Sequence, residues 1–509
     1  MRFYVTTPIY YVNGEPHLGH AYTTIAADIL ARHHRQKGDD VFFLTGTDEH
    51  GTKIAQAAEK RGLSPREHVD EMAPKFRELA RTLNASNDFF IRTTDAEHEA
   101  FVQGFVEKLR AAGDVEKRTY GGLYCTACEG FYNERDLKDG LCPIHLAEPV
   151  FLEEENYYFL LSKYQDRLSE FFRANPGWVK PKSRYNEALS FIEQGLDDIS
   201  ISRSSITWGV PVPWDPGQVI YVWVDALINY LSALTYARPG DDLVGDFWPV
   251  VYHLLGKDIL KFHAVIWPAL LMSAGYEVPA GETIHGYLLM GGEKMSKTRG
   301  NVLDPFAVME TYGLDALRFY LFREVAFGLD GTISLSGFEQ RYTNELANEL
   351  GNFVSRSVSM IGKYRDGTIP QASPEGEVLA EVAAEAEAMV RAAGAHLDAV
   401  EITAALETIW EYVRRLNRLV EEEAPWKLAK DEAQAGRLDA VLRALAAGLR
   451  LVALSLYPVV PDTAVEILRR LGQRRGDADL LLEGAVWGRL EAAAVDVAPP
   501  LFPRIESGA

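Results

Sequence analysis

Along the first part of the chain, short apolar runs alternate with stretches whose apolar residues recur every three or four positions. Phe3–Thr7 and Val41–Thr45 read as buried strands. His17–Arg35 reads as a helix, with Leu18, Tyr22, Ile25 and Ile29 on one face. Val250–Leu255 and Thr283–His285 repeat the strand signature. Strands separated by helices predict an α/β domain with a doubly wound parallel sheet. Ligands of such sheets bind just beyond the carboxyl ends of the strands. Unusual polar clusters fall there: after Thr7, at Gly46–Gly51, at Gly256–Asp258 and at His285–Tyr287.

The pattern breaks between residues 115 and 204, which hold every cysteine and many turn residues, and this stretch is expected to be a domain inserted into the sheet. The sheet domain then comprises 1–114 and 205–285. A connecting region, 286–340, leads to an all-helical bundle, 341–480, rich in Ala, Leu, Glu and Arg, and a tail, 481–509.

Length and charge narrow the class. A chain of 509 residues with 47% hydrophobic and 25% charged residues can bury several cores as a globular protein. No apolar run reaches the roughly 20 residues that span a bilayer, and Arg450 interrupts the best candidate, Ala444 to Val460. The start of the chain lacks the pattern of a signal peptide, so a cytoplasmic protein without membrane partners is expected. The net charge of −21 means that any nucleic-acid partner must meet local basic patches on an acidic body.

His17-Leu18-Gly19-His20 follows a strand and a turn and opens a helix. Spacing of three puts both imidazoles on one face of the first turn. The free N–H groups and the dipole of a helix start suit phosphate, and Gly19 lets a flat base or ribose approach the backbone. Two surface histidines are the plainer reading. Lys294-Met295-Ser296-Lys297-Thr298, bracketed by Gly291-Gly292 and Gly300, can close over a triphosphate and offset charge on departing pyrophosphate. A solvated basic loop is its plainer reading. Cys125-x2-Cys128-x13-Cys142-x2-His145 spaces two chelating pairs for one tetrahedral Zn²⁺. A redox Cys-x-x-Cys leaves Cys142 and His145 unexplained. Four protein ligands close the site, which argues for a structural metal.

The histidine motif first and the lysine loop far downstream resemble the paired signatures of the class I aminoacyl-tRNA synthetases, and the chain is similar over nearly its whole length to the methionyl-tRNA synthetase family of that class. The resemblance implies a Rossmann-like catalytic domain. It implies activation of L-methionine by ATP, with Mg²⁺, and transfer of the methionyl group from the adenylate to tRNA(Met) and initiator tRNA. The zinc motif is similar to the single-knuckle insertion of one subgroup. By resemblance, His17, His20, Lys294 and Lys297 are catalytic. Gly19, Gly256, Asp258, His285 and Gly286 would join them around ATP, Asp258 on a ribose hydroxyl. Asp48 would take the substrate ammonium with Arg203 bracing it. Ile9, Tyr11, Trp223, Ala226, Leu227, Tyr230, Ile259, His263 and Trp267 would enclose the thioether, where sulfur–aromatic contacts are favourable. Leu227 departs from the proline that many relatives carry. Asn352, Arg356 and Trp426 resemble the anticodon readers of the family, and Arg414, Arg415 and Arg418 form a basic strip that could meet the tRNA backbone. The chain is expected to be monomeric.

Rivals are other class I synthetases, a small nucleotidyltransferase, and a non-catalytic tRNA-binding relative. The cysteine enzyme needs an open metal site in its pocket, the branched-chain enzymes a larger insertion. A nucleotidyltransferase would lack the bundle, and a non-catalytic relative need not keep the histidines and lysines.

Overall fold

A computed structural model describes residues 1–125, 130–132, 134–143, 146–290, 305–372, 376–474 and 476–504. The expected roles of Cys128, His145, Lys294 and Lys297 fall on residues outside these ranges. The chain divides into two compact units, one of residues 2–27 and 42–284, the other of residues 1, 28–41 and 285–509.

The first unit is built on a seven-stranded sheet. Its opening strands are β1 (Arg2–Thr6), β2 (Tyr10–Tyr11), β3 (Asp40–Asp48) and β4 (Phe89–Arg92). Strands β5 (Val115–Cys125), β6 (Gly130–Tyr132) and β7 (Val150–Phe159) then leave it, β8 (Val179–Lys180) returns, and β9 (Ile199–Ser200) departs again. A small separate sheet holds β10 (Ser202–Arg203), β11 (Pro211–Val212) and β12 (Asp215–Ile220). The main sheet closes with β13 (Val251–Gly256) and β14 (Gly281–His285), in the order β2-β3-β1-β13-β14-β8, with β4 on β3. The pairs β1–β13, β2–β3, β3–β4 and β8–β14 are parallel. Near-continuous burial of β3 and β14 is what helices on both faces of a parallel sheet require. The chain moves from β1 to β3 on one side and reaches β13 on the other. The strand order therefore reverses between β1 and β13, the place where such sheets bind ligands.

The helix expected from His17 runs Leu18–Gln36, and the ends of the four expected strands lie within three residues of those observed. The stretch expected as an insertion forms an antiparallel sheet, β6-β5-β7-β9. It also supplies β8, which pairs with β14 in the main sheet through Glu282↔Val179 and Thr283↔Lys180. A two-residue strand followed by Pro181 is too short to carry a periodic signal.

The second unit is mainly helical, with one two-stranded parallel sheet of Leu288–Met290 and Gly331–Ile333. Its long helices are Asn352–Tyr364, Glu377–Asp398, Ile402–Glu423 and Ala435–Leu456. Arg450 is buried and donates to the Gly484 carbonyl at 2.8 Å, so the charge that breaks the apolar run is tied to the chain's end region. Among the described residues no helix is long and apolar enough to cross a membrane.

Candidate active site

At the β1–β13 switch, His17 and His20 stack with ring centroids 3.8 Å apart, 25° from parallel. Each imidazole bonds the backbone of the same turn. The Gly19 N–H donates to His17 Nδ1 at 3.1 Å, and the His17 N–H donates to His20 Nδ1 at 3.1 Å. A neutral imidazole whose Nδ1 accepts carries its proton on Nε2. Burial lowers the pKa of His17, and burial plus the proximity of His17 lower that of His20 to about 3. The walls around His20 are Tyr10, 4.6 Å away between centroids, and Phe76, 5.2 Å away. The motif therefore presents two neutral Nε2–H donors. This differs from the expectation that free backbone N–H groups face the phosphates, because the imidazoles cap two of those groups. Gly19 has a steric reason of its own. A Cβ there would meet His17 Cε1 at 3.0 Å, so glycine is what lets the ring fold over the turn.

Gly256 is buried at the end of β13, and Asp258 is exposed two residues on. In the helical unit, the His285 Nδ1–H donates to the Gly286 carbonyl at 2.9 Å. A Cβ on Gly286 would stand 2.4 Å from the Asp330 nitrogen, so the backbones meet too closely there for any side chain.

Asp48 ends β3, buried, with Tyr11 opposite it in β2. The helix Val222–Tyr236 brings Trp223, Ala226, Leu227 and Tyr230. Trp223 stacks on Phe262 with centroids 4.0 Å apart and meets Tyr11 edge-on at 6.0 Å. A π-helical turn, Phe262–Ile266, carries His263 toward Tyr230. Its Nδ1–H donates to the Ile259 carbonyl at 3.1 Å, so Nε2 must accept the Tyr230 hydroxyl proton across 2.9 Å. Burial lowers the pKa of His263 to about 4. Ile9 and Ile259 are half-buried against the same core cluster. These side chains form an aromatic, uncharged wall. Leu227 and Trp267 are nearly wholly buried, and Trp267 packs on Phe105 and Trp248. Arg203 donates to Ser200 Oγ and the Ser202 carbonyl, each at 2.8 Å, beneath the rings of Tyr221 and Tyr124.

Sequence reasoning passed over a buried polar cluster behind this wall. His50 Nδ1–H donates to Asp225 Oδ2 at 2.7 Å, and His98 Nε2–H donates to Asp225 Oδ1 at 2.9 Å. The signal for Asp225 was present. It is the one charged residue of helix Val222–Tyr236, set in its first turn.

Cys125 and Cys142 are both buried thiols. A turn closes at the second, where the Leu146 N–H donates to the Cys142 carbonyl at 2.8 Å. Two thiols withdrawn from water, one at the end of β5 and one at this turn, suit a metal that takes sulfur donors. Among the described residues no cluster of three or more metal-ligating side chains occurs, since Cys128 and His145 lie outside them.

In the bundle, Asn352 and Arg356 lie one helical turn apart, and Arg356 bonds Glu421 at 2.6 Å. Glu421 stands near the end of helix Ile402–Glu423, where Ala424, at φ 43°, turns the chain into Pro425 and Trp426. Trp426 is 37% exposed. Arg414 pairs with Glu349 and Glu407, and Arg415 with Glu385 and Glu422. These acidic partners offset much of the strip's positive charge.

The chain matches a family model described as class I tRNA synthetases (M) over residues 3–149 and 135–358. It matches the anticodon binding domain of methionyl tRNA ligase over residues 369–507. The methionine–tRNA ligase of Caldanaerobacter subterraneus subsp. tengcongensis is 45% identical over 507 residues, covering 99% of this chain and 79% of that relative. That of Streptomyces coelicolor is 44% identical over 527 residues, covering 99% and 97%. A crystal structure of Mycobacterium tuberculosis methionyl-tRNA synthetase bound by methionyl-adenylate superimposes with a TM-score of 0.94 at 41% identity, covering 99% of this chain and all of that one. The doubly wound sheet and the helical domain are those of a class I aminoacyl-tRNA synthetase. Within that class the chain belongs to the methionine–tRNA ligase family.

Proposed function

We propose that this chain activates L-methionine with ATP to methionyl-adenylate and transfers the methionyl group to the 3′ end of tRNA(Met), initiator tRNA included. The observation that carries the reading is the close likeness, over the whole chain, to a synthetase crystallised with methionyl-adenylate. The uncharged aromatic wall of Trp223, Tyr230 and His263 supports methionine, whose side chain is apolar and bears no charge. Asp48, one buried carboxylate at the mouth of β3, suits the substrate ammonium.

The reaction needs no protein nucleophile. The methionine carboxylate attacks the α-phosphorus of ATP, pyrophosphate leaves, and a terminal ribose hydroxyl of the tRNA then attacks the adenylate carbonyl. His17 and His20 hold Nε2–H donors toward the phosphates and stay neutral across physiological pH, so they orient and stabilise charge without exchanging protons. Lys294 and Lys297 would stabilise the leaving pyrophosphate. Gly256, Asp258, His285 and Gly286 would hold the adenosine. Bound Mg²⁺ supplies neutralisation of phosphate charge. Zn²⁺ would be held by Cys125, Cys128, Cys142 and His145 in a structural role, in the insertion 115–204. Trp426 suits stacking on an unpaired anticodon base, with Asn352 and Arg356 reading base edges. The protein is read as a cytoplasmic monomer.

The test is ATP–pyrophosphate exchange without tRNA, each amino acid supplied singly. Exchange with methionine alone is the expected result. Exchange with another amino acid would overturn the specificity, and exchange with none, the assignment.

A further inference from the structure

The segment Asp48-Glu49-His50 leaves the sheet between two anchors. On one side, buried Glu49 accepts from Arg92 Nε and Nη2 at 2.7 and 2.9 Å and from the hydroxyls of Thr94 and Thr47 at 2.6 Å each. This ties it to β4 and its own strand. On the other side, His50 reaches across to Asp225. That carboxylate is 1% exposed and has both oxygens occupied, Oδ2 by His50 and Oδ1 by His98. His98 Nδ1 is bonded in turn to Ser232 Oγ at 2.7 Å, one helical turn beyond Asn229. His50 also lies edge-on to Trp208, 5.4 Å between centroids, and its Nε2 is 3.7 Å from Glu99 Oε1.

The placement of Asp225 gives this cluster a use. It stands on the first turn of helix Val222–Tyr236, between Trp223 and Ala226. Its partner His50 stands two residues after Asp48. One carboxylate thus joins the backbone that carries the ammonium-binding acid to the helix that carries the thioether wall. We infer that Asp225, bridged by His50 and His98, is the positioning residue that sets the distance between the two halves of the methionine pocket. This rests on the methionine-activating reading above.

The cluster is built to hold one geometry. A carboxylate buried with two imidazole donors loses much when either donor goes, because the remaining charge is left uncompensated. Burial opposes both charges. Yet the charge and hydrogen bonds of Asp225 outweigh it at His50, which is raised to about 10, and those of His50 and His98 outweigh it at Asp225, which is lowered to about 2. Both shifts favour the ion pair, His50 protonated and Asp225 ionised. The bridge is therefore a fixed strut. It makes no contact with the phosphate-binding histidines, so its loss should show in one substrate and not the other.

The experiment is steady-state ATP–pyrophosphate exchange on purified full chain, varying methionine and ATP separately, with thermal unfolding measured on each variant. Wild-type exchange with methionine is the prior control, and its absence would count against the functional reading and not against the strut. Asp225→Asn should raise KM for methionine by about tenfold or more, the effect typical of losing an orienting partner, and leave KM for ATP and kcat within about threefold. His50→Ala should do the same. His50→Asn, whose amide keeps an N–H near the Nδ1 position but carries no charge, should bring KM part of the way back toward wild type. If Asp225→Asn does not fold, the His50 pair decides alone. Folded variants with unchanged KM for methionine would overturn the inference. So would equal losses for both substrates, or a His50→Asn variant no better than His50→Ala.

Discussion

Glu282 lies in β14, wholly buried, and neither carboxyl oxygen has a hydrogen-bond partner among the described residues. Its neighbours in electrostatic range are Tyr230 and Tyr252. Burial pushes its pKa well above the usual carboxylate value of 4.5. Between pH 4.5 and its raised pKa, the folded protein therefore holds Glu282 as a neutral acid, whereas the unfolded chain ionises it. Replacement by Leu keeps much of the volume and removes the unsatisfied group. An unpaired buried polar group costs about 1–3 kcal/mol, so Glu282→Leu should be more stable than wild type by at least that amount. A second contribution depends on pH. Between pH 4.5 and the raised folded pKa, the native state binds a proton that the unfolded state has released. Wild-type stability therefore falls as pH rises, by about 1.4 kcal/mol per unit, and this loss is absent in the Leu variant. Below pH 4.5 both states are protonated and only the first contribution remains. The assay is urea unfolding of the two proteins at pH 5, 6 and 7, followed by the fluorescence of the tryptophans, most of which lie in the sheet-bearing unit. The stability gap should widen with pH. A gap that is constant with pH, or a Leu variant less stable than wild type throughout, would refute the reasoning, since either would mean that the carboxyl is ionised against a partner.

Gly19→Ala would place a Cβ 3.0 Å from His17 Cε1. Displacing that ring should cut kcat for exchange by tenfold or more, on the order of what small misplacements cost, with KM for methionine unchanged. Trp426→Ala should lower tRNA charging by roughly 10–100-fold through a lost stacking contact and leave exchange intact. Equal loss in both assays would assign the tryptophan a folding role. Cys142→Ser should reduce bound zinc, read by elemental analysis, from one per chain toward none. A variant that keeps stoichiometric zinc would remove this thiol from the ligand set.

The helix from His17 and the strands leading to Thr7, Asp48, Gly256 and His285 were legible because each is a local, periodic pattern. The paired histidines, the lysine loop and the cysteine spacing are motifs within single segments, so the class and the family could be read from them. The bundle was visible as helical periodicity alone. Strand β8 was not, since two residues have no period. Nor was the capping of the first helical turn by its own imidazoles, which moves the donors from backbone N–H to Nε2–H.

What only the tertiary structure decided is how distant polar residues pair. His50, His98 and Asp225 are far apart in sequence, and each alone reads as an ordinary polar position. The same holds for Arg414 and Arg415, read as a basic strip until folding brought glutamates from other helices against them. The protonation of Glu282 also belongs to the fold, as a carboxyl acquires a raised pKa only when the chain around it excludes water and supplies no donor. Local pattern follows from the covalent geometry of neighbouring residues. Pairing and ionisation depend on which side chains the packed core brings within hydrogen-bond reach, and that is set only when the whole sheet and its helices have closed.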